Sequence, residues 1–371
     1  MPRPRNFLTS VFLPALATAA FAQPPTAKPA STVTPSPSPT VMATPTPPAK
    51  SIVDAMTAAE LEQAIQLLKS NYINPDAVSE TEMSRATLEG LLMRLGRGVV
   101  LLPESAAPAG EPPVQFYGEI LENHVGYLRV GSLTRENLEA MDAALQSYAA
   151  KKVDAAVLDL RASDGSNDFS TAAEFAKRFC AKGKPLFTLR KIAARQEKNF
   201  TSDREPAYQG LLILLTDADT TGAAEAIAGT IRLNNKSVVI GQPTGGRAVE
   251  YSDLKLASGK ALRVAVGEVI LPENRPLFPG GLKPDVPVEM GLAEKREVFQ
   301  QSREKGMSGF IYDVERPHLN EAALLSGKNP EIEAMETAQR RGRAVEKATV
   351  RDPVVQRALD LVTSIGVYQR R

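Results

Sequence analysis

Past residue 50 the hydrophobic positions recur first at helical spacing and then in alternating short runs. Thr57-Ala-Ala-Glu60 is a capping-box start, and Leu61, Ile65 and Leu68 follow at helical intervals. Ser79-Glu-Thr-Glu82 repeats the signal ahead of Leu88, Leu91, Leu92 and Leu95, so two short amphipathic helices are predicted. Gly96 and Gly98 end the second, and a Pro/Ala/Gly-rich stretch from Pro103 to Pro113 links onward. From Val114 the period changes. Residues 115–121 and 125–130 read as a hairpin turning near Glu122-Asn123-His124. Leu138, Met141, Leu145 and Tyr148 then mark a helix, and residues 155–160 a buried strand.

A second cycle follows. Ser170 caps a predicted helix through Phe179, residues 186–192 and 211–215 read as strands, and residues 223–233 as a helix. Residues 237–240, with a hairpin of 252–256 and 261–270 turning at Ser258-Gly259, are expected to close one sheet. Alternating strands and helices imply an α/β core. Beyond Met290 the composition turns charged, and residues 291–305, 330–347 and 353–365 read as helices. Their charged runs read first as solvated faces, with docking onto the core as the alternative.

The amino terminus changes the expected location. Arg3 and Arg5, an apolar segment from Phe7 to Phe21 and an Ala20-Phe21-Ala22 site read as a signal peptide over 1–22, with the membrane anchor reading weaker because Pro14 interrupts a short segment. Residues 23–50 are nearly all Pro, Thr, Ser and Ala, an extended spacer that buries no core. The rest divides into a helical segment at 51–98, a core at 114–290 and a charged helical tail at 291–371. A secreted or periplasmic protein with no membrane span after leader removal is expected.

Charge and scarce residue types narrow the chemistry. Lys+Arg 44 against Asp+Glu 43 gives no electrostatic reason to expect nucleic acid as a partner. Cys180 is the single cysteine, in an apolar helical context, and reads as core filling. His124 and His318 lie far apart, leaving almost no material for a histidine triad or a zinc cluster, and no cofactor is expected.

Four segments carry a family resemblance. They are Gly126-Tyr-Leu-Arg-Val130, Leu158-Asp-Leu-Arg-Ala-Ser-Asp-Gly-Ser166, the run from Leu211 through Gly222-Ala-Ala-Glu225 to Gly229 with Gly241-Gln-Pro-Thr-Gly-Gly-Arg247, and Gly280-Gly-Leu-Lys-Pro-Asp285. In this order they resemble the tail-specific, carboxyl-terminal processing serine peptidases (S41-type). The resemblance implies a ClpP/crotonase-like spiral of ββα units and a Ser-Lys dyad. It also implies a peptide-binding PDZ module near residues 103–113, where there is no room for one. Carried over, the nucleophile falls on Gly222 and the base on Arg247, at the family's separation. Gly222 offers no oxygen, and the Arg247 guanidinium offers five donors and no lone pair. A covalent route needs both a hydroxyl and a base.

What the resemblance leaves is an oxyanion-hole-like amide pair at Gly165 and Ala223. Independently, Gly222 or Thr221 serves as N-cap ahead of Glu225. Arg247 is expected to pair with Asp217, Asp219, Glu225 or Glu250, or to clamp a ligand carboxylate; Tyr251 and Ser166 complete a candidate peptide-binding set. Asp159 and Arg161 read as braces for a strand end. A relocated dyad would draw on Thr220, Thr221, Ser163, Ser166 or Ser252, with Lys236 or Lys255 as base. The expected function is thus a non-catalytic pseudoprotease that binds a polypeptide or regulates an active peptidase relative. The competing readings are an active serine-type endopeptidase and, on fold analogy alone, unrelated small-molecule chemistry.

Overall fold

The computed structural model describes residues 53–104, 113–122, 124–311 and 350–369. The expected signal peptide and spacer, the expected helix at 330–347, His318 and Asn123 lie outside the described residues. The chain falls into two units, one up to Val78 and one from Ser79 on. The first holds α1 (Ala58–Asn71), whose Thr57 hydroxyl and Glu60 carboxylate cap each other's backbone amides as the sequence predicts. The second begins with α2 (Glu80–Leu95), capped by Ser79. The 51–98 segment therefore divides between the units.

The core of the second unit is a six-stranded sheet flanked by helices. Its strands are β2 (Tyr117–Leu121), β3 (Val125–Arg129), β4 (Ala155–Asp159), β7 (Leu211–Thr216), β8 (Val238–Gly241) and β12 (Val286–Pro287), adjacent in the order β12-β8-β7-β4-β3-β2. Only the β2–β3 hairpin is antiparallel; β3 to β4, β4 to β7, β7 to β8 and β8 to β12 run parallel. Leu128, Leu158 and Leu214 stand in register across three strands. These strands read as unbroken apolar runs because both sheet faces are covered. Leu128, Leu158, Leu212 and Leu214 pack on one face against α3 (Arg135–Lys151), α4 (Phe169–Lys177) and α5 (Ala223–Asn235). Tyr127, Val157, Ile213 and Leu215 pack on the other, against Val298 of α6 (Leu292–Lys305) and Val354, Val355, Ala358 and Leu359 of α7 (Pro353–Gln369). The α/β reading holds.

Three expectations change. The 252–270 hairpin does not close that sheet. Its strands β9 (Val249–Lys255) and β10 (Ala261–Leu271) join β1 (Val99–Leu102), β5 (Pro185–Lys191), β6 (Gln196–Thr201) and the short β11 (Arg275–Pro276) in a second, antiparallel sheet. The strand β6 is absent from the sequence reading because Gln196, Glu197, Lys198 and Asn199 all face solvent, erasing any apolar alternation. And α6 and α7 are docked, not solvated, since their apolar stripes cover the second face of the parallel sheet.

A buried ionic network ties α7 to the end of β4. Arg161 Nη2 donates to Asp159 Oδ2 at 2.7 Å and to Asp352 Oδ2 at 2.8 Å, with all three side chains essentially inaccessible. The Tyr127 hydroxyl adds a 2.6 Å bond to Asp159, and Asp352 Oδ1 also caps α7 through the amides of Val354 and Val355. Burial pushes the Asp159 carboxyl up, but the Arg161 guanidinium beside it more than offsets this and holds it below the usual range. Asp159 and Arg161 thus brace the strand end.

Asp352→Ala removes a cap and leaves half of a buried guanidinium unpaired, so urea denaturation should register a loss of about 3 kcal/mol; a change below about 0.5 kcal/mol would contradict the network's role. A lowered folded pKa means that the Asp159 contribution is complete above the unfolded value of about 4 and is lost as pH falls below it. Melting temperatures should therefore drop on acidification through that window.

Candidate functional site

The stretches that carry residues 222 and 247 meet at one side chain. Gly222 precedes α5, and Glu225, in the first turn of that helix, is fully buried. Its Oε2 accepts from the backbone amides of Gly222 (3.1 Å) and Arg247 (2.6 Å), and its Oε1 from Gly246 N (2.7 Å) and the Thr244 hydroxyl (2.5 Å). The structure therefore brings residues 222 and 247 together across a single carboxylate. Thr244 extends the chain by accepting from Leu282 N at 2.7 Å, which fastens the Gly280–Asp285 turn to the same cluster. Asp285 closes that turn by accepting from Val239 N at 2.9 Å and pairing with Arg232.

The loop after β4 occupies the space in front of Gly222. Ala223 N donates to Ser166 O at 2.8 Å, so this amide of the oxyanion-hole-like pair is already satisfied by the chain itself. Gly222 sits at φ 60°, ψ −122°, a conformation that favours glycine. A Cβ at this position would lie 2.5 Å from Ser166 O and 2.7 Å from Asn167 Oδ1. Any side chain at 222 would have to displace the loop backbone. The other member of the pair, Gly165, has φ 69° and faces the Thr221 hydroxyl.

Arg247 differs from the internal ion pair expected for it. Its guanidinium is exposed and makes no ion pair or side-chain hydrogen bond with any described residue. The four carboxylates offered by the sequence are committed elsewhere. Asp217 and Asp219 hold Lys295 Nζ at 2.5 and 2.6 Å, Glu250 holds Lys191 at 2.6 Å, and Glu225 is filled by backbone donors. Tyr251 donates to Arg97 O at 2.8 Å, and burial raises its phenol although the nearby Arg247 charge pulls the other way. Ser166 Oγ accepts from Asp168 N at 3.1 Å.

Beside these residues opens a cleft of about 660 Å³, within the usual size range for ligand sites. Gly165 and Arg247 line it; Gly222, Ala223, Ser166 and Tyr251 do not. The hydroxyls of Thr221 and Ser163 also face it, the latter donating to Asp219 O at 3.0 Å. Thr220 is buried and bonded to Leu160 O, and Ser252 is paired within the second sheet. No suggested base reaches the cleft. Lys236 follows the far end of α5, about 20 Å along the helix axis from Gly222, and Lys255 ends β9 in solvent. Lys295 does line the cleft, but Asp217, Asp219 and Arg161 O engage all three of its protons. Cys180 is buried, which pushes its thiol up to about 12 and removes it from nucleophilic chemistry. Among the described residues no cluster of His, Cys, Asp or Glu is fit to hold a metal.

Sequence reasoning missed the opposite wall. Arg296, Phe299, Gln300 and Arg303 line the cleft from one face of α6. Their spacing of three, four and seven was the available signal, obscured by the density of charge in that helix.

Residues 124–288 match the family model of peptidase family S41. The carboxyl-terminal-processing protease of Synechocystis sp. is 23% identical over 216 residues, 58% of this chain and 48% of its own. The carboxyl-terminal-processing peptidase 2, chloroplastic, of Arabidopsis thaliana is 26% identical over 175 residues, 47% of this chain and 34% of its own. The Bacillus subtilis protease CtpB is 21% identical over 237 residues, 64% and 47% of the two chains. A solved photosystem II D1 C-terminal processing protease is similar over 49% of each chain, with 19% identity and a TM-score of 0.42. The match to peptidase family S41 is thus confined to residues 124–288, and the chain spans about a third to a half of the length of these relatives.

Glu225→Gln keeps the shape of the central side chain but turns an NH2 group toward donors. It should cost about 2–3 kcal/mol in urea denaturation; an unchanged midpoint would show that the four bonds do not hold the cluster together.

Proposed function

We propose that this protein is a secreted or periplasmic pseudoprotease: an S41 domain that binds a polypeptide, or regulates an active peptidase relative, without cutting. The observation that carries this reading is the filled socket at Gly222, where the Ser166 carbonyl stands 2.5 Å from the place a Cβ would need and takes the Ala223 amide. A covalent mechanism requires a nucleophile, a neutral base and free oxyanion donors. At these positions the chain has a glycine, a guanidinium and an occupied amide. The open cleft with the unpaired Arg247 supports retention of a binding role, and among the described residues no helix is long and apolar enough to cross a membrane.

Proteolysis by a relocated hydroxyl is the competing reading, favoured by the S41 match and by the Thr221 and Ser163 hydroxyls in the cleft. It lacks a base, because the one lysine nearby is held by two carboxylates and a carbonyl.

Incubating the purified protein with a mixture of unstructured peptides and reading the products by mass spectrometry should give no cleavage. Turnover that disappears in Thr221→Ala or Ser163→Ala would overturn the pseudoprotease reading. The double variant Gly222→Ser, Arg247→Lys should also stay inactive, with Gly222→Ser alone losing about 2 kcal/mol of stability from strain at positive φ. Efficient cleavage by the double variant would mean that the 163–167 loop leaves the socket readily.

A further inference from the structure

We propose that the cleft takes an acidic segment of polypeptide in extended form, its carboxylates held by Arg247, Arg296 and Arg303. This rests on the polypeptide-binding reading above and narrows its ligand.

Cationic side chains dominate the cleft, and they fall into two groups. Arg161 is paired with two carboxylates, Asp159 and Asp352, and Lys295 with two more, Asp217 and Asp219, so neither cation has charge to spare for a ligand. Arg129 is held between the rings of Tyr117 and Phe299, 4.7 and 4.4 Å from their centroids, and donates to Ser302. These charges are spent on the fold. Arg247, Arg296 and Arg303 are exposed at the cleft, and Arg247 and Arg296 have no ion pair or side-chain hydrogen bond with any described residue. Arg303 reaches only the carbonyl of Gln115, at 3.5 Å. Two carboxylates line the cleft among the described residues: Asp219 serves Lys295, and Asp164, bonded only to the neutral Ser166 amide, offsets one of the three guanidinium groups and leaves an excess of positive charge among the exposed side chains.

A concave surface with several uncommitted guanidinium groups favours carboxylates, which pair with arginine in fork geometry. Spacing refines the ligand. Arg296 and Arg303 lie two helical turns apart, about 10.5 Å along the axis of α6, which matches about three residues of extended chain. Acidic side chains two to four residues apart in an extended strand could thus reach both, with Arg247 on the opposite wall. Single-stranded nucleic acid fits less well. Phe299 is the one aromatic among the described lining residues, and the guanidinium groups of Arg129 and Arg161 cover it at 4.4 and 5.3 Å, leaving no ring on which a base could stack.

The test uses an end-labelled decapeptide of alternating Glu and Ala, its Gln/Ala counterpart and an oligothymidylate, each titrated with the full chain by fluorescence anisotropy. The Glu peptide should bind about tenfold tighter than the Gln peptide at about 50 mM salt and lose most of that margin at about 300 mM. The double variant R296Q/R303Q, altered only at exposed positions, should bind it roughly tenfold more weakly, and Arg247→Gln several-fold. Equal affinity for the Glu and Gln peptides would overturn the acidic preference while leaving the polypeptide-binding reading standing. Glu-peptide binding unchanged in both variants would also overturn it, by moving the acidic site elsewhere. Tighter binding of the oligothymidylate would replace the peptide with a nucleic acid. No binding of either peptide at about 1 mM would remove both this inference and the reading beneath it.

Discussion

A buried carboxylate must be given donors or it cannot stay buried, and Glu225 meets that demand with four hydrogen bonds from neutral groups and no cation. Three of those donors are backbone or hydroxyl groups of Thr244, Gly246 and Arg247, and the fourth is the amide that opens α5. The price of leaving any one of them unmade is a buried charge without its full shell, so the 244–247 turn and the start of α5 are fixed as one body. Thr244 then recruits Leu282, and Ala223 recruits the 163–167 loop through Ser166. With its amide consumed by Glu225, Arg247 has only its side chain left to offer, and that side chain points into open space at the cleft.

Much of the architecture could be read from residue patterns because the physics is local. Thr57 and Ser79 cap the helices they announce, and the apolar runs of β4 and β7 are continuous because helices cover both faces of their sheet. The partition into two sheets was not legible, since an antiparallel hairpin has the same alternation whichever sheet it joins. The polar strand β6 was hidden for the opposite reason: an exposed edge strand has no apolar period to detect.

At the site, the meeting of Gly222 with Arg247 followed from the motif order, but what fills the space between them did not. A backbone carbonyl such as that of Ser166 leaves no residue-type signature. The partners of Asp217 and Asp219 come from Lys295, about eighty positions along the chain, and Asp352 reaches Arg161 over nearly two hundred. Local spacing cannot reveal such pairs, and their existence is the reason that Arg247 is left uncommitted. The far wall of the cleft lies beyond the matched S41 segment, on α6, so the lining of the cleft is divided between that segment and a helix that follows it.

Amide hydrogen exchange at Ala223 tests the filled socket most directly, because this N–H is the donor that a working oxyanion hole must leave free. The account predicts an Ala223 amide protected to the same degree as the amides in the body of α5, owing to its bond to Ser166. Exchange close to the rate of an unstructured peptide, with the rest of α5 still protected, would contradict it.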